Sequence, residues 1–259
     1  MLTDAQKQEF EQAGFVRIPN AFSIEDAGPM REAVYGELEK QCGIERDDPA
    51  SWDSSVWPKF QDIKFDPVFE SIGSQKTRSV LDELLGDWQE PSNWGQFLVS
   101  MPKPEEKWTV PHNLWHTDFG FDKLIDPLPG VLLISFITDV GPKCGGTAAI
   151  SGGHHLVKKF VETKDSEFRK KMKRVRESFM KSDPWLLDLC DKDQKDRERL
   201  MNDVSTVQGI PTRVCELTGK TGDIIIGHPW LLHTSSINCG GTVSMRRVQR
   251  IMAGGVNRH

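Results

Sequence analysis

Asn113-Leu114-Trp115-His116-Thr117-Asp118 holds the only His-x-Asp in the chain. On a β-strand the side chains of residues i and i+2 leave the same face. His116 and Asp118 can therefore offer an imidazole nitrogen and a carboxylate oxygen to one point. A second histidine arriving from far along the chain would place two imidazoles and one carboxylate on one side of a metal ion. That set leaves the opposite side open and suits non-haem Fe(II). The best-placed partner is His233, in Gly222-Asp-Ile-Ile-Ile-Gly-His-Pro-Trp-Leu-Leu-His233-Thr-Ser, where a Gly-Asp turn and an apolar strand precede the histidine. His112, His154, His155 and His228 are expected to be structural or to support the site from behind. His259 is terminal, where disorder is the expectation.

Outward from these two stretches the chain reads as short strands between Gly and Pro turns. Strands are expected at Gln96–Met101, His112–Phe119 and Gly130–Thr138, and again at Pro211–Leu217, Asp223–Ile226 and Met245–Met252. Cys144–His154 reads as a tight turn and strand. Ahead of them, Thr3 caps a helix that ends at Gly14, and Phe15–Ile18 is a strand. Ser23 starts a helix running to about Leu38, and Thr77–Leu85 is a short amphipathic helix. Residues 43 to 75 read as loop. The pattern predicts a mainly β fold with flanking helices (α+β), a sandwich or barrel. Residues 157–208 interrupt it with a charge-rich, helical insertion whose front half, Lys158 to Arg176, is basic. Its place between the Gly-rich turn and the strand of the second histidine makes a lid the functional expectation. A solvated helix face is the plainer one.

The totals bound the function. A chain of 259 residues fits one domain, taken here as 1–259, with room for a real core. A net charge of −5 and a pI near 5.8 argue against a nucleic-acid partner. No apolar run approaches the roughly 18 residues of a membrane span. Five cysteines without a Cys-x-x-Cys read as reduced thiols. The polar start reads as a capped helix and not a signal peptide. A cytoplasmic protein is expected; its oligomeric state is not legible.

The ordered motifs resemble the phytanoyl-CoA dioxygenase family of Fe(II)/2-oxoglutarate oxygenases. The resemblance runs from Leu2-Thr…Phe10…Gly14-Phe15-Val16 through His116-Thr-Asp118 and Gly145-Gly-Thr-Ala-Ala-Ile-Ser-Gly-Gly-His154. It ends at Gly222-Asp223, His233-Thr-Ser, Asn238 and Arg246. It implies a double-stranded β-helix, or jelly roll, with Fe(II) on His116, Asp118 and His233. It also implies 2-oxoglutarate and O2 as co-substrates. The family's 2-oxoglutarate-binding arginine falls on Arg246 or Arg247; counting favours Arg246, although the Cys239-Gly-Gly-Thr-Val insert lengthens the interval. Adjacent strand residues face opposite ways, so only one of the two can point inward. Thr147 matches a hydroxyl that helps hold 2-oxoglutarate. Asn113 matches a position near its other carboxylate, where the family usually has Gln. Ser151-Gly-Gly-His154 departs from the family's usual Pro-Gly-Ser-His. An aspartate at 118 implies hydroxylation or a related oxidation, since halogenating relatives carry a small residue there.

The substrate is expected to be a small organic metabolite, oxidised at an unactivated C–H with release of succinate and CO2. Trp94, Phe119 and Trp230 lie near the ligands in sequence and could line an apolar pocket; ordinary core packing is the plainer expectation, as it is for Trp115. Two other readings share the same three ligands or the same barrel. One is a metal-dependent cupin-like isomerase or hydrolase that does without 2-oxoglutarate. The other is a non-catalytic binding protein.

Overall fold

Gly130–Phe136 is buried at every position, and its alternation shows why. Val131 and Leu133 join one apolar cluster, whereas Leu132, Ile134 and Phe136 join another. A strand covered on both faces must run through the middle of a layered structure. The protein is described here from a computed structural model covering residues 1–53, 55, 56, 58–122 and 125–255. His259 lies outside the described residues.

The order of elements is α1 (Asp4–Ala13), β1 (Phe15–Ile18), α2 (Ile24–Cys42), α3 (Gln75–Leu85), β2 (Gln96–Ser100), β3 (Gly130–Phe136) and β4 (Thr147–Ser151). There follow α4 (Gly153–Glu162), α5 (Ser166–Arg169), α6 (Met172–Phe179), α7 (Pro184–Cys190) and α8 (Arg199–Asn202). The chain closes with β5 (Ser205–Val207), β6 (Ile210–Leu217), β7 (Ile224–Gly227), β8 (His233–Ser235) and β9 (Ser244–Met252). The strands form two antiparallel sheets, a larger one in the order β1-β7-β3-β9-β2 and a smaller one in the order β5-β6-β4-β8.

Three apolar layers follow from strand alternation. On the outer face of the large sheet, Val16, Ile18, Val131, Leu133, Ile224, Ile226 and Met245 meet α1, α2 and α3 through Phe10, Met30, Val34, Leu38 and Leu81. Between the sheets, Leu132, Ile134, Phe136 and Ile225 face Ala149 and Leu217. On the outer face of the small sheet, Ala148, Ile150 and Val214 are covered by Leu156, Val157, Val175, Phe179, Leu186, Leu189 and Leu200. Fully burying one such aliphatic side chain stabilises by about 1.5–3 kcal/mol.

The N-terminal helix begins and ends as its sequence demands. Thr3 and Gln6 form a reciprocal capping box, worth about 1 kcal/mol, and Gly14 closes the helix in the left-handed region with φ 83°. A side chain at Gly14 would also strike the His154 ring, 2.5 Å from Nδ1.

Two expectations need correction. His112–Phe119 is not a strand; it makes one isolated bridge, His116 with His233. Leu114 breaks the extended path by adopting a left-handed conformation, φ 58°. The helical insertion begins earlier than expected, at Gly153, and the short strand β5 falls inside its expected 157–208 span. Its helices cover the outside of the small sheet with a buried apolar side, while Lys158, Lys159, Lys170, Lys171, Lys173 and Arg174 are exposed, as expected of a solvated basic face. Among the described residues no helix is long and apolar enough to cross a membrane.

Candidate metal centre

The small sheet ends at β8, and the backbone of His116 adds a single rung to that edge. His116 N donates to His233 O at 3.0 Å, and His233 N donates to His116 O at 2.9 Å. Residues paired in this way present their side chains to the same face. His233 is also paired with Ala149, whose side chain lies between the sheets. Both imidazoles therefore project toward the space between the sheets, with ring centroids 4.4 Å apart.

Asp118 joins them from two residues beyond His116. Its carboxylate oxygens lie 3.6 Å from His116 Nε2 and 3.8 Å from His233 Nε2. One ligand atom from each of the three residues falls within 4.8 Å of the others. Thr117 Oγ1 donates to Phe119 O at 2.9 Å, and Arg250 Nη1 donates to Asp118 O at 3.1 Å. These bonds hold the short segment that carries the carboxylate.

The hydrogen bonds fix which nitrogen is free. His116 Nδ1 lies 2.8 Å from Leu114 O, and His233 Nδ1 lies 3.0 Å from Leu231 O. A carbonyl can only accept, so each Nδ1 carries a proton, and in the neutral ring Nε2 is the nitrogen that keeps its lone pair. Two lone pairs and a carboxylate then face one another beyond hydrogen-bond length. Three acceptors gathered without a donor are mutually repulsive unless a cation sits among them. Atoms bound to one ion at about 2.1 Å stand roughly 3–3.5 Å apart, only slightly closer than these. Burial pulls the His233 pKa down; the Asp118 charge opposes that shift and His116 adds to it. A neutral His233 is the ligand form.

Register separates the two arginines. On β9, Arg246 is opposite Leu98 and Phe136, and Phe136 lies between the sheets. Arg246 therefore points inward, where Nη1 donates to Thr147 Oγ1 at 2.7 Å and Nη2 lies 3.5 Å from Ser100 Oγ. Its Nε has no partner, and no carboxylate lies within 4.0 Å of its guanidinium among the described residues. Burial lowers its pKa to about 10, with Glu216 pulling the other way, so it stays charged at neutral pH. Arg247 points outward. It stacks on Phe69 and Phe97, 4.3 and 4.5 Å from the ring centroids, and donates to the carbonyls of Gly95 and Lys64. Each arginine keeps one buried N–H without a partner, Nε on Arg246 and Nη1 on Arg247, but only Arg246 points between the sheets.

Thr147 pairs with Ser235, two residues along from the Ala149–His233 pair, so its hydroxyl shares a face with the His233 ring. Asn113 is exposed, and its carbonyl accepts from Thr234 Oγ1 at 3.1 Å beside His233. Phe119 is buried with its ring over Gly130, where an added Cβ would stand 3.0 Å from it. Trp230 is wholly buried and donates through Nε1 to Gly120 O at 2.9 Å, tying the Asp118 segment to the one that carries His233. Trp94 is a correction. It is wholly buried on the helical side of the large sheet, bonded to Glu70 and pressed on Gly73, and belongs to that core.

Sequence reasoning missed several supporting groups. Ser100 and Arg250 came with no motif. The half-buried Glu216 carboxylate accepts from Lys143 N, Gly146 N and Ser236 Oγ, and so braces the Gly-rich turn ahead of Thr147. His154, His155 and His228 form a stacked cluster, with centroids 3.9 Å apart for the first two and 4.6 Å apart for His154 and His228. His154 and His155 both donate to Glu11 O, and His228 Nδ1 accepts from Trp230 N. Structural roles were expected for these three, and hydrogen bonding of this kind fits them.

Similar shapes occur among solved structures. They include the non-heme alpha ketoglutarate dependent epimerase SnoN from nogalamycin biosynthesis, with a TM-score of 0.55, 13% identity, and coverage of 96% of this chain and 81% of that one. AviO1 from Streptomyces viridochromogenes Tue57 gives 0.53 and 14%, covering 100% and 99%. HygX from Streptomyces hygroscopicus, with nickel and 2-oxoglutarate bound, gives 0.52 and 13%, covering 98% and 88%. This chain shares their fold. No family model matches the sequence, and no curated protein does.

Proposed function

We propose that the chain is an Fe(II)- and 2-oxoglutarate-dependent oxygenase on a double-stranded β-helix, of the phytanoyl-CoA dioxygenase type. Its substrate is a small organic metabolite. The observation that carries this reading is the cluster of three acceptors, His116 Nε2, His233 Nε2 and an Asp118 oxygen, with both Nδ1 protons spent on backbone carbonyls. Two imidazoles and one carboxylate fit a divalent ion such as Fe(II). The second support is Arg246, a buried cation with one free donor and, among the described residues, no carboxylate within ion-pair distance. It fits the far carboxylate of 2-oxoglutarate, which a guanidinium takes by two parallel bonds. That HygX binds nickel and 2-oxoglutarate on the same fold agrees with both.

When bound, Fe(II) with 2-oxoglutarate and O2 supplies the oxidation of an unactivated C–H, with release of succinate and CO2. The residues of this chain hold and orient. His116, Asp118 and His233 would hold the metal. Leu114 O and Leu231 O keep the imidazoles in the binding tautomer. Arg246 and Thr147 would bind the anionic end of the co-substrate, and Asn113, exposed beside His233, would contribute an amide at the rim. Phe119 supplies an apolar wall next to Asp118. Trp230 acts through Gly120, keeping the carboxylate segment in place. No side chain is required as a nucleophile.

The test is 2-oxoglutarate turnover. The Fe(II)-loaded protein, offered a panel of small metabolites, is expected to release succinate above its uncoupled rate with at least one of them. A protein that binds zinc and never consumes 2-oxoglutarate would instead be an isomerase or hydrolase. One that binds no metal would be a binding protein on this fold.

A further inference from the structure

Arg197 lies in the turn before α8, with 6% of its surface exposed, and every partner of its guanidinium is a backbone carbonyl. Nε donates to Val110 O at 2.8 Å and Nη2 to Pro111 O at 2.9 Å. Nη2 also donates to Leu189 O at 2.7 Å, and Nη1 to Asp188 O at 3.4 Å and to Asp191 O. Asp188 and Leu189 lie in the last turn of α7, whose terminal carbonyls lack partners within the helix and attract a cation. Arg197 therefore bolts the end of an insertion helix to residues 110–111. Among the described residues it makes no ion pair, so the bonds to carbonyls are what stabilise its buried charge.

The bolt lies five residues ahead of His116. Between them, residues 112–114 are exposed and Leu114 is in the left-handed region. Trp115 Nε1 donates to the same Pro111 carbonyl, at 3.1 Å, and its ring sinks into the insertion's core with Trp108 and Val110. His116 follows directly. The free edge of β8 gives it one rung only, so strand pairing alone holds it weakly. We infer that Arg197 is a positioning residue for the metal centre, setting through Val110 and Pro111 where the His116–Asp118 segment stands opposite His233. The insertion is then a buttress of the site. This rests on the reading of His116, Asp118 and His233 as metal ligands.

The test is a titration of the chelator-stripped full-length protein with Co(II), followed by its visible d–d absorption. The wild type is compared with Arg197→Met, Arg197→Lys and Leu186→Ala. Leu186 is a fully buried residue of the same insertion core and touches none of these bonds, so its truncation lowers stability alone. The expected result is about tenfold weaker Co(II) binding and an altered band shape in Arg197→Met, the low end of what loss of outer support costs a metal site. Arg197→Lys should fall between, and Leu186→Ala should bind as the wild type does. Should Arg197→Met fail to fold, Arg197→Lys carries the comparison with Leu186→Ala. Equal affinity and equal spectra in the arginine variants and the wild type would overturn the inference, as would losses that merely track the melting temperature across the set. A wild type that binds no Co(II) would sink the metal reading itself, a distinguishable failure.

Discussion

The main chains of His116 and His233 are bonded to each other twice, by reciprocal N–H···O contacts of 3.0 and 2.9 Å. The relative placement of two ligands separated by more than a hundred residues is thus set by backbone pairing, before any metal arrives. Such preorganisation has a measurable signature. His233→Ala should abolish metal binding yet cost the metal-free protein no more than about 1 kcal/mol, because the backbone rung survives and one of three crowded acceptors is gone. Denaturant melts in chelator, repeated with excess metal, check this. Metal should raise the midpoint of the wild type and leave that of the variant unchanged.

Arg246 and Arg247 should separate cleanly. Arg246→Gln removes charged bonds worth about 1.5–3 kcal/mol each, so half-saturation should need at least about tenfold more 2-oxoglutarate. Arg247→Met strands the carbonyls of Gly95 and Lys64 and loses the stacking on Phe69 and Phe97. Its cost should be about 3 kcal/mol of stability, with the 2-oxoglutarate dependence of the folded fraction unchanged. The opposite pattern would exchange their roles.

The histidine cluster predicts an acid limit. Burial, with His155 nearby, pulls the His154 pKa to about 4; burial, with His154, His155 and Lys158 nearby, pulls that of His228 to about 2. Both fall below the ordinary 6.5, so the unfolded chain takes up protons that the folded one refuses. Stability is therefore intact above about pH 6.5 and is lost as the pH falls toward 4, with His154 alone costing on the order of 3 kcal/mol there. Unfolding measured from pH 7.5 to 4.5 should show this slope, and His154→Gln should remove about half of it, the part due to His228 remaining.

Trp94 and Trp230 are both buried indoles with different duties. Trp94→Phe loses a bond to Glu70 in the helical core and should cost about 1–2 kcal/mol without touching metal affinity. Trp230→Phe leaves the Gly120 carbonyl unmet and loosens the Asp118 segment. It should weaken metal binding severalfold at a similar cost in stability, as read by parallel melts and metal titrations.

The three residues that the structure gathers, His116, Asp118 and His233, could be picked out in the sequence because the residue types and their order carry the chemistry proposed for them. The strands of the large sheet could be read because their apolar runs between Gly and Pro turns leave few alternatives. The choice between Arg246 and Arg247 depends on the register of β9 against β2 and β3. Counting residues across the Cys239–Val243 insert cannot supply that register; pairing with Phe136 does. The expected strand at 112–119 followed from a sound rule applied to a segment that has one rung of pairing and a left-handed Leu114. Its two ligands still converge, through the bridge to His233. Trp94 was misplaced because proximity in sequence to a strand says nothing about which face a neighbouring loop covers. Arg197 went unnoticed because its partners are carbonyls, which any sequence offers everywhere.

The central claim is most directly tested by anaerobic titration of the metal-free protein with Fe(II) and then 2-oxoglutarate. A weak visible charge-transfer band should grow in the wild type with 2-oxoglutarate, vanish in His116→Ala, and require far more 2-oxoglutarate in Arg246→Gln. A wild-type protein that takes up Fe(II) yet gives no band at any 2-oxoglutarate concentration, or that takes up no Fe(II), would contradict the account.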